Sequence, residues 1–173
     1  MILEATRILA DALASPEYGV NRQIDTVARD ADDKAPPHVK TIGDITRDRW
    51  AAEIEEPPSV PAFLVAPAGP ATLGGEVLAG SLRDSETVSI DVIYLGREVD
   101  SAEGFAHMMM TFRAALRTLR VLMDNEQAAD RTRNGVCIIG AEDVTWGLAE
   151  MPIESTGGTG ALTVTFSGRD TVV

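Results

Sequence analysis

The sequence predicts an α+β protein. It has a mostly antiparallel sheet with a long hairpin, and one long helix and a short N-terminal helix packed on one face. Three observations carry the prediction. Residues 102–123 place apolar side chains at helical spacing over a stretch too long for a strand. In residues 87–97, Val88, Ile90, Val92 and Tyr94 alternate with Thr87, Ser89, Asp91 and Ile93, the period of a strand with one buried face. The order helix, extended segments, hairpin, long helix, hairpin groups strands together instead of interleaving each with a helix.

Each element has its own local cause. In residues 2–14, Ile2, Ala5, Leu9, Ala12 and Leu13 fall on one side, with Glu4, Arg7 and Asp11 toward water. Pro16 and Gly19 end that helix, and Asn21 is placed to cap a second short turn carrying Ile24 and Val27. The polar, Pro-rich run 30–37 reads as loop and leads to an extended segment at 39–45. Charges dominate 47–56 around Trp50, and Pro57, Pro58 and Pro61 stop a helix from continuing. This leaves a charged, Pro-flanked, insertion-like stretch at 47–58 inside a single domain spanning 1–173. Residues 62–66 read as a strand and 67–75 as a turn-rich connection. The hairpin then comprises 75–82, a polar tip at 83–86, and 87–97.

Asp100 and Glu103 form a capping-box start to the long helix, and Asn125 is a stop signal. Phe105, Met108, Met109, Phe112, Leu116, Leu119 and Met123 lie within one arc and read as its core stripe. After it, Asn134-Gly135 opens strands over 136–148. A Gly-rich turn at 157–160 leads to a strand at 161–167 in which Leu162, Val164 and Phe166 share a side.

Composition narrows the class. The chain of 173 residues is 45% hydrophobic and 24% charged, enough to fold around a core. No apolar run is long enough to span a bilayer, and nothing at the N-terminus reads as an export signal. The single Cys137 sits in an apolar strand, and with no second cysteine an intrachain disulfide is excluded, which suits a reducing compartment. Net charge is −12, from 15 basic and 27 acidic residues, which disfavours attraction to nucleic acid.

Catalytic patterns are sparse, and the sequence predicts no enzyme and no cofactor. His38 and His107 are far apart, and His107 reads as a solvated or hydrogen-bonded residue near Thr111 and Thr118, not as a general base. Asp30, Asp32 and Asp33 lack the glycine and distal glutamate of a calcium loop, so no metal site is expected. Thr156-Gly157-Gly158-Thr159-Gly160 precedes a strand and lacks the Lys-Ser/Thr of a phosphate loop. Glu53, Glu55 and Glu56 are flanked by prolines and read as exposed.

The long helix shows a second feature. Arg113, Arg117 and Arg120 form a basic seam along one edge of the core stripe. Beyond it, Met110, Ala114 and Val121 make a second apolar patch. A helix apolar on two sides has something to bury on both, so these six residues are the predicted subunit interface. The competing reading is that Met110 and Val121 are isolated exposed apolar residues.

Two parts of the chain then resemble a known family. The opening helix, the Gly19-Val20-Asn21 step, the Pro36-Pro37 loop and the strand beyond are similar to the start of tail terminator proteins of long-tailed bacteriophages. So is the later order of a strand at 88–95, an Ala-, Met- and Arg-rich helix at 102–123, and two closing strands. The resemblance implies a virion protein of the tail–neck junction, assembled in the host cytoplasm. It would form a ring, usually of six copies, on the last ring of the tail tube, ending tube growth and meeting the head-side connector. DNA would pass through without specific binding, and Asp84, Glu86, Asp30, Asp32 and Asp33 are the acidic residues expected to face the tube or lumen. A head-completion or connector subunit is the near alternative, and a small acidic α+β enzyme or ligand-binding domain the distant one.

Overall fold

A computed structural model describes residues 2–32, 34–44, 59–67, 72–78, 81–97, 101–129, 136–141, 145–147 and 157–170. The insertion-like stretch at 47–58, Asp33, Asp100 and Asn134-Gly135 lie outside the described residues. The fold is α+β. Three helices, α1 (Ile2–Ala14), α2 (Val20–Ala31) and α3 (Ala102–Ala129), accompany strands β1 (Thr41–Asp44), β2 (Ala62–Pro67), β3 (Thr72–Leu78), β4 (Ser81–Arg97), β5 (Val136–Ala141), β6 (Thr145–Gly147) and β7 (Gly157–Asp170).

In α1, Ala5, Leu9, Ala12 and Leu13 are buried while Arg7 and Asp11 stay exposed. Ser15 N–H donates to Ala12 O and Gly19 N–H to Ser15 O, closing the turn before Pro16 can extend the helix. Only glycine fits at 19, because a Cβ there would collide with the carbonyl oxygens of Ser15 and Leu13. The second helix is longer than the sequence suggests: it starts at Val20 and runs through Asp30 and Ala31 to Asp32, which turns left-handed at φ 51. Asn21 is therefore not a cap. Its amide instead exchanges two hydrogen bonds with Val39, donating from Nδ2 to Val39 O at 2.9 Å and accepting Val39 N–H at Oδ1 at 2.8 Å. A side chain here supplies the pairing a neighbouring strand would, and fixes the 36–40 segment against α2.

The cap of α3 is Ser101, whose Oγ accepts Gly104 N–H at 2.9 Å. The helix also runs past Asn125 to Ala129. Asn125 is no stop because Glu126, Gln127, Ala128 and Ala129 are themselves good helix formers.

The sheet is mixed. β1 pairs parallel with β2, and β2 pairs antiparallel with β4. β4 in turn pairs with β3 on part of its length and with β7, and β7 with β5 and β6. Two boundaries move. β3 and β4 meet at Leu78↔Ser81, so Arg83–Glu86 is strand and not a tip; its charges mislead because an alternating polar strand looks like a turn. Likewise Gly157–Gly160 is not a turn: it opens β7, in register with Arg97, Gly96, Leu95 and Tyr94 of β4. Gly160 lies between Tyr94 and Trp146 in the ladder.

The core lies between the helices and one sheet face. Val88, Ile90, Val92 and Tyr94 of β4 join Phe63 and Val65 of β2 and Leu162 and Val164 of β7 against the buried residues of α1, α2 and α3. At its centre the rings of Phe63, Tyr94 and Phe112 stand 5.7–6.0 Å apart in tilted or edge-on pairs, each worth about 0.5–1.5 kcal/mol beyond area burial. Ala62, Leu64 and Leu95 form a smaller cluster, offset by one residue in each strand and so on the other face.

Candidate functional site

The buried face of α3 is rotated by about 90° from the stripe expected at 100° per residue. Met108, Phe112 and Leu119 are buried as expected, but so are Thr111, Ala114, Ala115, Thr118 and Leu122. The threonines are the key. Thr111 donates to His107 O at 2.7 Å, and Thr118 Oγ1 lies 3.1 Å from Ala114 O and 3.3 Å from Tyr18 O. Their hydroxyls are satisfied by the helix itself and by the α1–α2 turn, so they sit inside an apolar face at little cost. The two apolar arcs seen in the sequence are thus flanks of one wide face. One flank lies over the sheet, and the other is covered by Val20, Ile24, Val27 and Ala28 of α2.

This changes the interface assignment. Ala114 is wholly buried in the chain's own core and offers nothing to a neighbour. Met110 is half-buried against that core, and Val121 is half-buried without joining it. Arg113, Arg117 and Arg120 are exposed. Along the solvent side the arginines are bordered by Met110 and Val121 on one edge, and by Met109 and Leu116 on the other. Leu116, 38% exposed, is the large apolar residue left most open among those described.

Arg117 already meets a carboxylate, and it belongs to the same chain: Nη1 lies 2.8 Å from Asp30 Oδ2. Asp30 is thereby removed from the set of free acidic residues and joins α2 to α3. Asp32 is exposed at the end of α2. Asp84 and Glu86 lie within β4, opposite Gly75 and Leu73 of β3 and opposite Asp170 and Gly168 of β7, not at a hairpin end.

The structure also brings together residues that the sequence kept apart. A cleft of about 480 Å³ opens between the first turn of α3 and the segments at 37–40 and 59–61. Lys40 N–H donates to Pro61 O at 2.8 Å and Thr41 Oγ1 to Ser59 O at 3.1 Å, tying those segments into one wall. Lys40, Tyr94, Glu103 and His107 line the cleft. The His107 side chain is 23% exposed, with Nε2 3.8 Å from Glu103 Oε1. Burial pushes the Tyr94 phenol up to about 12. No sequence spacing links these positions, so only the fold could find them. His38, by contrast, is exposed and pairs with Asp25 at 2.8 Å, joining the 36–40 segment to α2.

Among the described residues no group of His, Cys, Asp and Glu is placed to hold a metal ion, and no helix is long and apolar enough to cross a membrane. The chain matches neither a known protein family nor any curated protein.

Proposed function

We propose that this protein is a structural subunit of a bacteriophage neck. It acts as a tail terminator, forming a ring, six copies being the expected number, that caps the tail tube and presents a joining surface to the head-side connector. The observation that carries the proposal is the solvent side of α3. On a chain of net charge −12, it sets three arginines between two apolar edges. A closed ring needs heterologous contacts, one patch meeting a different patch on the next copy. A basic, partly apolar strip fits the acidic surface that such a chain offers elsewhere. Met109, Leu116, Arg113 and Arg120 are the residues assigned to this contact, with Met110 and Val121 at its other edge.

The finer architecture belongs to the same proposal: a mostly antiparallel sheet whose long β3–β4 hairpin is the arm reaching toward tube or lumen. Asp84 and Glu86 on that arm, with Asp32, repel phosphate and let DNA slide. The element order, which resembles terminators along nearly the whole chain, supports the reading.

The test is direct. Purified protein is mixed with polymerising tail-tube subunits and tube length is followed by electron microscopy. Annular particles and arrested growth are expected. Small compact particles with no effect on tube growth would overturn the proposal.

A further inference from the structure

We propose that the cleft at the start of α3 is a binding site for a carboxylate carried on a short apolar stem. The inference is independent of the ring assignment. It begins with Tyr94, which is 4% exposed, lines the cleft, and has no hydrogen bond to its hydroxyl among the described residues. The phenol end of its ring lies over Gly96, where a side chain would strike it. A buried hydroxyl left unsatisfied costs about 1–3 kcal/mol, so one on a residue that lines a cleft points to a partner entering that cleft. The neutral phenol can donate or accept, so the charged groups around it decide that an acceptor is the partner that fits.

The other groups select the acceptor's charge. Lys40 brings an ammonium. The first turn of α3 brings the positive end of the helix dipole, with Gly104 N–H and Phe105 N–H already turned back to Ser101. Glu103 opposes them and stands beside His107, so the balance suits a single negative charge better than a phosphate dianion. Pro37, Val60 and Pro61 are apolar wall and give a stem somewhere to lie. The volume, about 480 Å³, is within the range of small-ligand sites.

The carboxylate has two sources, a free organic acid or an Asp or Glu side chain from another copy of the chain. One set of measurements separates them. Butyrate is titrated into isotopically labelled protein while the resonances of Tyr94, Lys40 and His107 are followed by NMR, with neutral butyramide as control. Saturable shifts with butyrate and none with butyramide are expected. Tyr94→Phe should weaken butyrate binding about fivefold, the worth of one hydrogen bond, without lowering the melting temperature of the free protein. Glu103→Gln should tighten it. If butyrate also loosens an assembled form seen by sedimentation, the natural carboxylate comes from another copy; if assembly is indifferent, it is a free acid. Equal responses to butyrate and butyramide would overturn the site. So would a Tyr94→Phe variant that binds butyrate unchanged, or one that is destabilised, which would show the hydroxyl already bonded within the protein. Ring assembly is read separately, so loss of one proposal leaves the other standing.

Discussion

The two sides of α3 follow opposite rules, although both mix apolar with polar residues. The inner side contains Thr111 and Thr118 and is closed. Their hydroxyls are satisfied locally, and Val20, Ile24 and Val27 complete the apolar cover. The outer side contains Arg113, Arg117 and Arg120 and is open. Charges that long cannot be buried without partners, and among the described residues only Arg117 has one, Asp30 on α2. Apolar content on a helix therefore does not tell which side is committed to the monomer. What tells is whether the polar residues in between can satisfy themselves. Threonine can, by bonding back to the preceding turn; arginine needs a second element or a second chain.

Substitutions sharpen that contrast. The largest effect is expected from Ala114→Asp, which puts an unpaired charge into the inner side. A loss of about 3–5 kcal/mol is expected in urea unfolding; a stable, soluble variant would mean that Ala114 faces outward after all. Next comes an alkaline transition from Tyr94. Its pKa is about 12 in the fold and about 10 in the unfolded chain. The neutral phenol is favoured by folding, so this contribution is fully present below about pH 10 and is lost as pH rises toward 12. Its size is on the order of 3 kcal/mol. Tyr94→Phe should flatten that slope in a plot of unfolding free energy against pH, while any other titration stays.

A smaller loss, about 1–3 kcal/mol, is expected for Asn21→Ala, which leaves both Val39 backbone groups without their partner. Hydrogen exchange at Val39 should rise with it, because this amide pair holds the 36–40 segment that walls the cleft. The smallest effect belongs to Arg117→Ala. Both members of the Arg117–Asp30 pair are nearly half exposed, so the expected cost is under about 1 kcal/mol and shrinks further in salt.

Much of the architecture is written locally and much of the site is not. The periodicity of α1 and the alternation of Val88, Ile90, Val92 and Tyr94 lead to an α+β fold because each depends only on neighbours in sequence. Asn21 misleads because its partner, Val39, lies eighteen residues away, while its residue type signals a cap. Gly157–Gly160 misleads because glycines read as turn unless the strand they pair with, the end of β4, is known. Thr111 and Thr118 hide the true orientation of α3, since a polar letter reads as an exposed one. Ser101 caps α3, a neighbour of Asp100 with an equally good capping side chain, and residue type alone offers no reason to choose it. The cleft had no local signature at all: Lys40, Tyr94 and His107 converge only through the pairing of β2 with β4 and the placement of α3.

If the outer side of α3 joins copies into a ring, Leu116→Asp should break that ring. Leu116 is exposed and outside the core, so its replacement should change unfolding free energy by no more than about 0.5 kcal/mol. Native mass measurement should show a closed ring for the unaltered chain and single copies for the variant. A folded variant that assembles like the original, or an original that stays single even beside tail-tube subunits, would contradict the account.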